Sequence, residues 1–120
     1  MSMHSHGTGA VNLSAEDRLH FFVRSALASK ELWGLYDDGW AEMNDENGKK
    51  GMMVWPDQAT AQLIADERFP GYVPKQIKLS SFTQRWLDKL AQQRFKVAVF
   101  ATPLDGPKFV TPAELKSQLS

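Results

Sequence analysis

Residues 33–55, WGLYDDGWAEMNDENGKKGMMVW, decide how the N-terminal half of this chain is laid out. Asp38-Gly39 and Asn47-Gly48 are two-residue hairpin signals, because a type I′ turn needs positive φ at both central positions, which Gly supplies freely and Asp and Asn tolerate. The first pairs Asp37 with Trp40, Tyr36 with Ala41, Leu35 with Glu42 and Gly34 with Met43. The second pairs Met43 with Met52, Glu42 with Met53, Ala41 with Val54 and Trp40 with Trp55. The expected product is a three-strand meander. Successive strand residues point to opposite faces, so one face collects Leu32, Tyr36, Ala41, Met43, Met52 and Val54, a core face. The other collects Trp33, Leu35, Asp37, Trp40, Glu42, Met53 and Trp55, and there three of the four tryptophans share a surface with two carboxylates. A slip of one residue at either reversal inverts this assignment.

Outward from this segment the pattern alternates between helix and strand. Residues 1–12 are small and polar and read as a flexible tail, in which His4 and His6 could chelate a metal weakly. The remainder, 13–120, reads as a single globular domain. Ser14 is placed as an N-cap, and Leu19, Phe22, Val23, Ala26 and Leu27 make an amphipathic stripe that leaves His20 outside it. After Trp55, Pro56 suits a first helical turn, with Ala59, Leu63 and Ile64 as a short apolar stripe. Val73 to Leu79 reads as a strand, and Ser80 or Ser81 as the cap of a helix carrying Phe82, Trp86, Leu87 and Leu90 inward. Residues 95–101, FKVAVFA, alternate little and suit a central strand covered on both faces. Phe109-Val110 reads as an edge strand and Thr111-Pro112-Ala113-Glu114 as a capping box opening the last helix. The fold class expected is α+β: a small mixed or antiparallel sheet, built from the meander and strands near 73–79 and 95–101, packed by about four helices.

Composition narrows the function classes. A chain of 120 residues with 42% hydrophobic and 23% charged residues can build one real core. Lys plus Arg equals Asp plus Glu, 14 against 14, so no global field draws in polyanions, and the basic residues Lys75, Lys78, Arg85, Lys89, Arg94 and Lys96 read as a solvated face. No nucleic-acid partner is expected. The absence of cysteine removes thiolate nucleophiles and cysteine zinc sites. Neither a signal segment nor a membrane-length apolar run is present, so a cytoplasmic location and no membrane partner are expected.

The segments WGLYDDGWA (33–41), WP (55–56), VAVFATP (97–103) and VTPAEL (110–115), in this order and spacing, resemble a bacterial family catalogued as domain of unknown function 2750. The resemblance runs from about residue 14 to 119, with Ala101 standing where many relatives carry proline. It implies a small compact bacterial α+β domain, and no reaction, cofactor or site residue.

From the residues themselves, the surface to test is Trp33, Asp37, Trp40, Glu42 and Trp55, where rings can bury a ligand while acids orient it. The expectation is a non-enzymatic binding module for a protein partner or a small ligand, with no cofactor, no metal site and no catalytic residue. One alternative is a small hydrolase or metal-assisted enzyme centred on the carboxylates of 37–42. The other is a structural protein that buries the face in a homodimer.

Overall fold

The first long helix ends on a left-handed residue, and that exit sets where the strands begin. In the computed structural model, which describes residues 6–120, α1 spans Ala15–Ser29 and closes on Lys30 at φ 64. Ser14 caps its start, its hydroxyl accepting from the Asp17 amide at 3.2 Å. Leu19, Phe22 and Ala26 are buried, the face that 3.6-residue spacing predicts. His20 is exposed and lies 3.5 Å from Glu16 one turn away. Ahead of this helix, His6–Asn12 is a 3-10 helix whose Ala10 joins the core, closed by Leu13 donating to the Ala10 carbonyl. Of the chelating pair expected in the tail, His4 falls outside the described residues.

The architecture is α+β, with six strands in two sheets among the described residues. Strand β1 (Glu31–Tyr36) pairs antiparallel with β4 (Val73–Lys78), Glu31 opposite Lys78 and Tyr36 opposite Val73. The second sheet has the order β2-β3-β5-β6, with β2 (Glu42–Asn44) antiparallel to β3 (Lys50–Val54). β3 runs parallel to β5 (Lys96–Val99), and β5 antiparallel to β6 (Lys108–Val110). A Trp33–Trp55 bridge joins the sheets. Val97, Ala98 and Val99 are all buried, so the apolar run at 95–101 is indeed a central strand covered on both faces.

The three-strand meander does not form as expected. The β1 strand touches the β2 segment only at a Tyr36–Trp40 bridge, with Ala41 donating to the Leu35 carbonyl. This reversal therefore spans three residues, 37–39, rather than two. The second is lengthened in the same way, since Glu42 faces Met52 and Asn44 faces Lys50. Side-chain chemistry favours these longer reversals. The Asp45 carboxylate accepts from the amides of Asn47 and Lys49, each at 2.9 Å, clasping residues 46–48 in a loop whose left-handed position is Gly48 at φ 80. At the first reversal Trp40 gains a seat over Gly34, where a β-carbon would lie only 2.8 Å from its ring.

Helices complete the frame. α2 (Gln58–Arg68) is capped by Asp57, whose carboxylate accepts from Thr60 at 2.9 Å. It buries Thr60, Ala61, Ile64 and Ala65, whereas Ala59 and Leu63, expected inward, face solvent, because the stripe that packs on the core is 60, 61, 64 and 65 rather than 59, 63 and 64. A composite helix follows: α3 (Leu79–Ser81), a π turn over Phe82–Trp86 and α4 (Leu87–Gln92). Its N-cap is Lys78 without a side-chain bond, not the expected serine, since the chain turns directly from β4 into the helix. The last helix, α5 (Pro112–Leu119), has the expected capping box between Thr111 and Glu114.

Candidate functional site

Strand parity with the observed register separates the tryptophans. Trp40 aligns with Tyr36 and so shares the side of β1 occupied by Gly34, whereas Trp33 faces the other side with Trp55 across from it. Trp55 is fully buried and donates its indole N–H to the Ala101 carbonyl at 2.8 Å. Trp33 is half-buried, its indole N–H on the Glu31 carboxylate at 3.3 Å. The expected surface of Trp33, Asp37, Trp40, Glu42 and Trp55 is thus divided. Asp37 is exposed at the reversal, and only Trp40 and Glu42 meet at one cleft.

That cleft has a volume of about 540 Å³ and lies between the β2–β3 corner and the composite helix. Its floor is Trp40, Met52, Trp86, Leu90 and Phe95. Glu42 lines the strand side, while Arg85, Lys89 and Gln93 line the helix side. Residues 85, 89 and 93 fall on one helical stripe, as do 86, 90 and 93, and the π turn opens the helix at the level of Arg85 and Trp86, a local widening common at binding sites.

The aromatic wall is tightly fixed. Trp40 packs edge-on against Trp86, with ring centroids 5.2 Å apart, and against Tyr36 at 5.0 Å. Lys75 Nζ stands 4.3 Å from the Tyr36 centroid and 5.9 Å from that of Trp40. Glu42 is partly engaged by Lys50 at 3.8 Å. Arg85 and Lys89 are exposed and make no ion pair among the described residues. The arrangement can stack a flat group and neutralise an anion. Among the described residues no three His, Asp or Glu side chains converge to hold a metal ion, and no helix is long and apolar enough to cross a membrane.

Sequence reasoning missed Arg85, Trp86, Lys89, Gln93 and Phe95. It assigned Trp86 to the core stripe and the cations to a solvated face, yet Trp86 is only half-buried. The available signal was RW at 85–86 followed by Lys89 and Gln93 on one face.

The parallel β3–β5 pair offers a second place to look, since ligands of open parallel sheets sit beyond the carboxyl ends of the strands. Here that end is filled by the chain itself. Trp55 reaches Ala101, and the fully buried Arg18 donates to the carbonyls of Phe100, Leu13 and Gly106 at 2.9, 2.7 and 2.6 Å and meets Asp105 at 3.1 Å.

Fold and cleft together define a small α+β domain with one aromatic, cation-rimmed recess and a sealed strand end. The family model described as protein of unknown function (DUF2750) matches residues 19–119, and the chain belongs to that family. No curated protein and no solved structure matches it.

Proposed function

We propose that this domain is a non-enzymatic binding module that holds a small ligand in the cleft between Trp40 and Trp86. The observation that carries the reading is the convergence of fixed rings and unpaired cations on a recess of about 540 Å³, within the roughly 300–1,000 Å³ typical of small-molecule sites. The lining supplies one carboxylate, Glu42, and no Ser, Thr or His beside it. That composition favours holding a molecule over transforming it.

A mixed library of neutral and charged fragments, screened by NMR on the ¹⁵N-labelled chain, tests this. Binders should shift the indole N–H signals of Trp40 and Trp86 and spare that of Trp55. Shifts confined to other surfaces, or none from any fragment, would overturn the reading.

A further inference from the structure

Charge pairing on this molecule is uneven. Lys50, Lys96, Lys108 and Lys116 each lie within 4 Å of a carboxylate, at 3.8, 2.9, 3.1 and 3.0 Å. Arg85 and Lys89 at the cleft, with Lys75 against the back of its aromatic wall, have no acid partner among the described residues. The one acid in the lining, Glu42, already has Lys50 beside it. The recess therefore carries net positive charge although the whole chain is neutral. A second depression, of about 610 Å³ around Lys30 and Lys78, has cations but no ring in its lining, so it lacks the aromatic half of such a site.

Resting on the binding reading above, we infer that the ligand is a small, flat aromatic molecule bearing one anionic group, a carboxylate or a phosphate. Its ring lies against Trp40, Trp86 and Phe95, where edge and face contacts with fixed rings cost little ordering entropy. Its anion meets Arg85 and Lys89; the guanidinium fork suits both oxyanion types. A cleft of this volume holds one such ring system rather than a polymer.

The test titrates the full chain at constant ionic strength with 1-naphthoate, 1-naphthyl phosphate and the uncharged 1-naphthamide, followed by indole fluorescence and the Trp40 and Trp86 N–H signals. At least one anion should bind about tenfold or more tighter than the amide, as one charge-assisted contact allows, and whichever of the two prevails identifies the anion type. In the double variant Arg85→Gln/Lys89→Gln the ratio of anion to amide affinity should fall to about one. Lys78→Gln, a charge loss outside the cleft, should leave the preference intact. Equal binding of all three compounds overturns the inference but leaves the binding reading standing, as does silence from all three when other fragments still occupy the cleft. Equal loss of preference in Lys78→Gln also overturns it, since the attraction would then be global.

Discussion

Two buried positions show how single side chains hold this fold and its cleft. Gly34 lies under the Trp40 ring, and an added methyl would sit 2.8 Å from two of its carbons, closer than packed atoms tolerate. Gly34→Ala should therefore displace Trp40 and cost about 1–3 kcal/mol, as overpacking typically does, with an offset of under about 1 kcal/mol from the stiffer unfolded chain. Urea denaturation reads the loss, and a shifted Trp40 indole signal locates it; wild-type stability with an unmoved signal would refute it. Arg18, with its side chain 1% exposed, is the opposite case, since a charge is buried because three backbone carbonyls need it. One of them belongs to Phe100, which sits at φ 60 without being glycine, a strained conformation held from outside. Arg18→Met should cost about 3–5 kcal/mol by leaving acceptors unpaired. Asp105→Asn should cost less than about 1 kcal/mol, because that carboxylate is 60% exposed. Comparable losses in both variants would mean that the ion pair, not the carbonyl cage, anchors Arg18.

The reversals show what sequence pattern reads well and what it misses. Both were legible as reversals, from Asp38-Gly39 and Asn47-Gly48, but their length was not. Turn propensity ranks local backbone states, whereas a side chain from the preceding strand decided between two residues and three. Asp45 made that choice at 45–49, and at the other reversal, 37–39, one extra residue was enough to send Trp40 and Trp33 to opposite sides. The same carboxylate accepts Lys96 Nζ at 2.9 Å, tying this loop to the start of β5. The Lys96 bond first, then the Lys49 amide, holds the Asp45 carboxyl below the ordinary Asp range. A carboxylate depressed on folding contributes stability that is complete above its unfolded value, about 3.9, and is lost as pH falls through the folded value. Glu114, lowered by its capping bonds to Thr111, acts in the same sense. Asp45→Asn should thus flatten the acid side of the stability curve between about pH 5 and 2, measured by urea denaturation at stepped pH, and an unchanged slope would contradict the assignment. Thr111→Ala should cost about 1 kcal/mol, the usual loss of an N-cap, because the Glu114 amide loses its hydroxyl acceptor while the residue-111 backbone N–H keeps its bond to the Glu114 carboxylate.

Fold class, the long helices and the central strand at β5 were readable because each rests on periodicity that burial then satisfies. Pairing of β1 with β4 was not, because the partners lie some 40 residues apart and β4 carries Pro74, Lys75 and Lys78, which read as an edge rather than as a specific mate. The cleft was half legible for the same reason, since Trp40 and Glu42 come from the hairpin region while its cations come from a helix far along the chain. Only the folded chain brings them together, and that leaves a measurable field. With no net charge overall, ions in solution feel no long-range attraction, so any preference of a small ion for the indoles must arise locally. In Trp33→Phe the reachable indoles are Trp40 and Trp86, because Trp55 is fully buried. Iodide should then quench fluorescence more strongly than caesium at equal ionic strength, after each is scaled to its effect on free N-acetyltryptophanamide, since Arg85, Lys89 and Lys75 concentrate the anion beside the rings. Adding Arg85→Gln and Lys89→Gln should bring the two quenchers close together, and rising salt should do so in the parent as the field is screened over about 10 Å at 0.1 M. Equal quenching by both ions before any charge is removed would mean that the rim carries no effective positive potential, and the anion preference of the cleft would fall with it.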